Sequence, residues 1–73
     1  MTTVESLARD ARSAAAHAAT GIGTSTLRYP SGQHVSVSAD LNGDRLTYRV
    51  GGRDVDEQQL RLVLLDLEQV YRG

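Results

Sequence analysis

The sequence predicts an α+β fold of two layers in the order α-β-β-β-α, with an antiparallel three-stranded sheet that has one face covered by two helices. Three observations lead to this prediction. Apolar residues recur with the helical period of about 3.6 near both ends of the chain. Between those ends, apolar and polar residues alternate with a period of two, as in half-buried strands. Turn residues separate the alternating segments, so successive strands are expected to pair as hairpins.

The closing helix has the clearest local signals. Asp56 is a good N-cap because its carboxylate can accept backbone N–H groups of the first turn. Gln59 stands three residues later and completes a capping box, while Val55 and Leu60 hold the positions of a hydrophobic staple. These signals predict a helix of about 16 residues. One arc of that helix is apolar and is predicted to face the core: Leu60, Val63, Leu64, Leu67, Val70 and Tyr71.

Two further leucines of this helix, Leu62 and Leu65, fall on the opposite side, between Gln58 and Gln69. Another part of the chain could cover them, or they could be scattered exposed leucines, which are common. They could also form a contact ridge for a partner or for a second copy of the chain. A chain this short has little material to cover both sides of a helix. These four residues are therefore the first candidate partner-binding surface.

The first helix is predicted from Thr2 to Ala19. Thr2 and Glu5 have the spacing of a capping box, and Gly21 stands where a left-handed residue would end the helix. Alanine dominates the arc predicted to be buried, so we expect this helix to approach its neighbours closely. That arc consists of Val4, Leu7, Ala8, Ala11, Ala14, Ala15 and Ala18.

A flexible link at Gly21–Thr24 is predicted to lead into three strands, with turns at residues 29–32 and at Asn42-Gly43. Gly51-Gly52 is predicted to turn the chain into the closing helix. One sheet face is apolar and is expected to meet the helices: Leu27, Tyr29, Val35, Val37, Leu46, Tyr48 and Val50. The other face is polar: Thr26, Arg28, His34, Ser36, Ser38, Arg45, Thr47 and Arg49.

The arginines of the polar face, Arg28, Arg45 and Arg49, form the second candidate surface. Guanidinium groups bind carboxylates and phosphates through paired hydrogen bonds. A solvated sheet face is the plainer interpretation. If the face binds a partner, an acidic protein is favoured over nucleic acid, because the net charge is −1 and exposed aromatic side chains for base stacking are lacking.

Composition and motifs exclude several functional classes. The 73 residues predict a single domain, residues 1–73, without cysteine and therefore without disulfides or zinc–thiolate sites. Neither a signal peptide nor a membrane span is expected, since the longest aliphatic run is Leu62–Leu65. Asp40–Asp44 spaces oxygens as a calcium loop does, but Arg45 and Gly51 stand where glycine and glutamate are required. We interpret the segment as a hairpin turn.

Catalytic motifs are also missing from the sequence. The two histidines, His17 and His34, lie on different elements and are interpreted as surface residues. We see neither a nucleophile elbow nor a phosphate loop. We therefore expect a non-enzymatic protein without metal or cofactor, which binds a protein partner or associates with itself, including as a homo-oligomer.

The arrangement of elements resembles the W-type head–tail joining proteins of tailed phages. The similar residues lie in both helices and the first hairpin: Leu7-Ala8, Ala11-Arg12, Thr20-Gly21, Leu27, Gly32, Val35, Val37, Leu60 and Leu67-Glu68. The resemblance implies a structural, non-catalytic subunit seated in a ring at a phage connector, in the virion or in the host cytoplasm. Two features differ from the family. Residues 41–54 add a strand that the family lacks. The family also carries a tail beyond its second helix, whereas this sequence stops at Gly73.

In size and style the sequence also resembles phage-encoded inhibitors of bacterial defence, such as anti-CRISPR proteins. That resemblance implies an inhibitor that occludes a protein surface, often one that normally meets nucleic acid.

Overall fold

The computed structural model describes residues 3–72, and the side chains of residues 3–68. It confirms the α+β class, with two helices and an antiparallel sheet, and corrects the number of strands from three to four. The elements are α1 (Val4–His17), β1 (Ile22–Arg28), β2 (His34–Asp40), β3 (Arg45–Val50), β4 (Arg53–Val55) and α2 (Glu57–Arg72).

The fourth strand results from the turn at Gly51 and Gly52. Their φ angles are 58° and 86°, and a tight two-residue hairpin turn of the I′ type needs positive φ at both positions. The glycines therefore fold the chain back onto β3, where Arg49 opposes Asp54, instead of leading directly into α2. The prediction of a direct connection was wrong because it took paired glycines as a link and not as a hairpin.

The strands form a meander in the order β1-β2-β3-β4, and each strand is antiparallel to its neighbour. The register places the predicted apolar residues of β2 and β3 on one face, and both helices pack on that face. The core draws on α1, β2 and α2: Val4, Leu7, Ala11, Ala15, Val35, Val37, Ala39, Leu60 and Leu64.

Helix α1 begins and ends at residues other than those predicted. Thr3 is the N-cap: its hydroxyl accepts the N–H of Ser6, and the Ser6 hydroxyl accepts the N–H of Thr3, both at 3.1 Å. Thr2, the predicted cap, lies outside the described residues. The helix ends at His17 with an extended C-cap at Ala18, so Gly21, with φ 74°, belongs to the following turn and does not cap the helix.

The close approach expected for α1 occurs at β1. Gly23 is buried, and a Cβ atom built on it would lie 2.2 Å from the backbone nitrogen of Ala15 and 2.7 Å from the carbonyl oxygen of Ala11. Strand β1 therefore begins at Ile22, within the segment predicted to be a flexible link. Ala14, predicted to be buried, is exposed.

The β2–β3 connection is a four-residue turn at residues 41–44, in which Asp44 has the positive φ, 49°. The hairpin predicted at Asn42-Gly43 is present, but its turn is longer than the two-residue type. The Asp40 carboxylate accepts the N–H of Asn42 at 3.0 Å, and the Asn42 side-chain amide donates to the carbonyl of Thr20 at 2.9 Å. These bonds tie the turn to the start of β1.

Helix α2 begins at Glu57, directly after its predicted N-cap. The Asp56 carboxylate accepts the N–H of Gln59 at 2.7 Å, as expected of an N-cap. Leu60 and Leu64 are buried, and Val63 and Leu67 pack against the core cluster. The side chains of Val70 and Tyr71, the remaining members of the predicted stripe, lie outside the described residues.

Candidate partner-binding surfaces

The outer face of α2 exposes the two leucines that the helical pattern placed outside the core stripe. Leu62 is 62% exposed and Leu65 is 55% exposed, whereas Leu60 on the opposite side is 0% exposed. Gln58 is also exposed, and the side chain of Gln69 lies outside the described residues. Within the described part of the chain, no segment covers this face. The interpretation that the chain itself buries these leucines is therefore wrong.

Leu65 also lines a groove between α2 and the start of α1. The groove encloses about 170 Å³, and its exposed lining is mainly apolar. Its walls are formed by Thr3, Val4, Glu5, Arg61, Leu64, Leu65 and Glu68. The sequence did not indicate this groove, because residues 3–5 and 61–68 are brought together only by the packing of the two helices.

Arg61 joins the two helices beside the groove. Its guanidinium forms an ion pair with Glu5 of α1 and a second one, at 3.4 Å, with Glu57 one turn earlier on α2. The hydrogen bond from Arg61 lowers the pKa of Glu5 below its ordinary value. That same bond raises the pKa of Arg61, so the pair favours the charged forms of both groups.

The Glu5–Arg61 pair predicts an acid-sensitive contribution to stability. Because the folded protein depresses the pKa of Glu5, the contribution is complete above the pKa of an unfolded glutamate and is lost as pH falls through the lower, folded pKa. The urea concentration at the midpoint of unfolding should therefore fall less between pH of about 7 and about 3 in Glu5→Gln than in the parent protein, when both are measured in low salt.

Asp66→Asn is the matched control for this measurement, since Asp66 is an exposed acid of α2 with no ion pair among the described residues. Its midpoints should keep the parent's dependence on pH. Equal pH dependence in Glu5→Gln and in the parent would contradict the role of the pair.

A second groove, of about 460 Å³, lies on the other side of Arg61, between α1, β3 and the start of α2. Arg9 and Arg12 line it together with Leu46 and Tyr48. The Tyr48 hydroxyl donates to Glu57 at 3.3 Å. Partial burial and then the charge of Glu57 raise the pKa of this phenol, which keeps it protonated as a donor.

The three arginines of the second candidate surface lie apart from one another on the open face of the sheet. Arg28 opposes His34 at one end of the face, and Arg45 opposes Asp40 at the other end. Arg49, the third, forms an ion pair with Asp54 of β4 at 2.9 Å. Arg49 is therefore engaged within the chain, whereas Arg28 has no ion pair among the described residues, and partner binding by this face stays a prediction.

Hydroxyl groups occupy the middle of this face. Thr24, Ser38 and Thr47 stand side by side on three strands, and the hydroxyls of Thr24 and Ser38 are 3.0 Å apart. This arrangement is typical of a sheet face that is exposed to water.

No protein-family model matches this chain, and no curated protein or solved structure matches it at a significant level.

The remaining chemical candidates occupy ordinary structural positions. His17 is exposed, and its Nδ1 lies 2.8 Å from the carbonyl oxygen of Ser13, while His34 is half-buried in β2. Among the described residues, no three His, Cys, Asp or Glu side chains are grouped as metal ligands. Within residues 3–72, no helix combines the length and the apolar composition that a bilayer crossing requires.

Proposed function

We propose that this protein is a non-enzymatic protein-binding module that docks on a partner through the outer face of α2. The observation that carries the proposal is the exposure of Leu62 and Leu65, 62% and 55%, next to an apolar groove of about 170 Å³. Contiguous apolar surface of this kind is typical of interaction sites, whereas scattered single leucines are not. A leucine ridge beside a groove offers a partner both a surface to cover and a cavity to fill.

The charges around the ridge define the partner that fits it. Asp66 is exposed one turn after Leu62, and Glu68 lines the groove beside Leu65. Among the described side chains, Arg61 is the cation at this site, and two glutamates already engage it. Within that described part, Asp66 and Glu68 have no ion pair, so the rim is acidic and a complementary surface carries apolar side chains flanked by lysine or arginine.

The specific role that we propose is a structural subunit similar to the W-type head–tail joining proteins of tailed phages. The two helices and the β1–β2 hairpin support this role, since they are the elements that the resemblance covers. Strands β3 and β4 are additions to that plan, so the contacts of this subunit with a connector would differ from those of the family.

An inhibitor of a bacterial defence complex, of the anti-CRISPR type, is the alternative that a specific observation favours. The acidic rim around Leu62 and Leu65 would suit a basic protein surface that normally meets nucleic acid. The head–tail role requires a connector as the partner, whereas the inhibitor role requires a nucleic-acid-binding complex. The identity of the partner therefore separates the two roles.

The test compares the parent protein with Leu62→Asp/Leu65→Asp as baits for partner proteins. We expect the double variant to retain the parent's circular dichroism spectrum, because both side chains are exposed, and to lose the partner. With the purified partner, titration calorimetry should show affinity reduced by about tenfold or more.

Leu41→Asp is the matched control. Leu41 is 45% exposed but lies in the β2–β3 turn, away from α2, and this variant should retain the partner. Equal binding by the parent and by the folded double variant would refute the proposed docking face. Loss of the folded spectrum in the double variant would show instead that both leucines contribute to the core.

A further inference from the structure

The two edges of the sheet differ in length and in how well they are protected against pairing with another strand. The β4 edge is three residues long and carries the charged side chains of Arg53 and Asp54. The β1 edge is seven residues long, and residues 22–27 contain neither charge nor proline. Proteins protect edge strands with charges, proline or short length, because an open edge recruits another strand. Strand β1 lacks these protections over most of its length.

Alternate residues of β1 direct their backbone groups to the free edge. At one end the carbonyl of Gly21 accepts the N–H of Leu41, and at the other end the N–H of Tyr29 donates to Gln33. In an antiparallel pair, hydrogen-bonded residues recur at every second position, so the odd-numbered residues of β1 bond to β2. The even-numbered residues Ile22, Thr24, Thr26 and Arg28 therefore direct their backbone groups outward. Of these, the N–H of Ile22 already donates to the Thr20 hydroxyl at 3.3 Å.

We infer that β1 pairs antiparallel with β1 of a second copy of this chain, about a twofold axis at Ser25, so that two four-stranded sheets join into one. This surface is separate from the outer face of α2 and does not depend on the proposed function. In this register Thr24 lies opposite Thr26 of the second copy, and both are outward-bonding residues. Facing threonines stabilise neighbouring strands, and the same contact occurs twice by symmetry.

The charge of Arg28 supports a second copy of this chain as the partner at the β1 edge. In this register Arg28 lies opposite Ile22 of the second copy. Within that second copy Ile22 is paired with Asp40, and both residues belong to the open face of the sheet. The arginine stem can then cover the isoleucine, which is 50% exposed, while the guanidinium reaches toward the carboxylate of Asp40. Among the described residues, Arg28 has no ion pair within its own chain. The symmetric contact would provide one for each copy.

The two α1 helices would lie side by side on the same face of the joined sheet, because α1 packs over β1 and β2. Packed helices lie about 8 to 10 Å apart, and small side chains at the contact favour the closer distances. Ala14, exposed beside the point where α1 meets Gly23, is small enough to permit them.

Sedimentation equilibrium over a concentration series tests the inference, with Thr26→Pro as the main variant. The N–H of Thr26 points outward, so proline there should leave the β1–β2 ladder intact but remove a donor from each copy. We expect a dimer for the parent protein and a dissociation constant raised about thirtyfold in Thr26→Pro. Thr26→Val keeps the backbone donor and changes only the side chain of the facing pair, so it should weaken the dimer far less than Thr26→Pro does.

Amide hydrogen exchange gives a second measurement that does not require a variant. The N–H groups of Thr24 and Thr26 should exchange slowly in concentrated protein and faster on dilution. A monomer at every concentration up to about 1 mM would overturn the inference. A dimer that resists Thr26→Pro, or one that Leu62→Asp/Leu65→Asp abolishes, would also overturn it and would place the contact elsewhere. A monomer, or a dimer that resists Thr26→Pro, would leave the proposed docking face on α2 untouched, whereas a dimer abolished by Leu62→Asp/Leu65→Asp would make that face a contact between copies.

Discussion

Replacing Gly23 with alanine is expected to lower the free energy of unfolding by about 3 kcal/mol or more. The added methyl group would stand 2.2 Å from the nitrogen of Ala15 and 2.6 Å from the carbonyl carbon of Ala14. These are backbone atoms of α1, so the clash can be relieved only by moving the helix away from the sheet. A domain of this size is stabilised by only about 4 to 11 kcal/mol, and the loss would be a large part of that.

Urea denaturation followed by circular dichroism measures this effect, with Gly43→Ala as the matched control. Among the described residues, no atom lies within 4 Å of the position that a methyl group on Gly43 would take, and the φ angle of Gly43 is not positive. Alanine there should change the free energy of unfolding by less than about 0.5 kcal/mol. Similar stabilities for the two variants would mean that α1 does not rest directly on Gly23.

Replacing Leu60 with alanine is the second substitution with a large expected effect, a loss of about 3 kcal/mol. Leu60 is 0% exposed and is among the largest fully buried side chains. It belongs to the core cluster that joins α2 to α1 and the sheet, so its removal leaves a cavity where three elements meet. The midpoint of urea denaturation should fall accordingly.

Leu62→Ala is the control for Leu60→Ala, since it removes the same atoms from the opposite side of α2. At 62% exposure, Leu62 contributes little to folding, and its replacement should cost less than about 0.5 kcal/mol. Equal losses at the two positions would contradict the assignment of an inner and an outer face to α2. That assignment underlies the proposed docking surface.

The two proposed surfaces are compatible with each other. Pairing at the β1 edge uses backbone groups at one end of the strand order, whereas the leucine ridge lies on α2, which follows β4. A dimer formed through β1 would leave both ridges exposed and would present two binding sites. Two sites on one partner assembly bind more tightly than one, through the high effective concentration of the second.

The amino-acid sequence by itself determined the α+β class, the inner and outer faces of α2 and the apolar face of the sheet. Each of these depends on local periodicity or on contacts between residues three or four apart. Asp56 caps α2 at the predicted position because its carboxylate needs only the N–H of Gln59, three residues away. Leu62 and Leu65 are exposed because the helical period places them opposite Leu60.

Only the tertiary structure decided the features that depend on distant parts of the chain. Gly23 could be recognised as a contact point, and Arg61 as the partner of Glu5, only after α1 was placed against β1 and α2. The pairing of Arg49 with Asp54 required the fourth strand, which the local pattern had not indicated. Such contacts follow from how the elements pack, and packing depends on the sum of many weak interactions across the chain. The local pattern of residues does not contain that information.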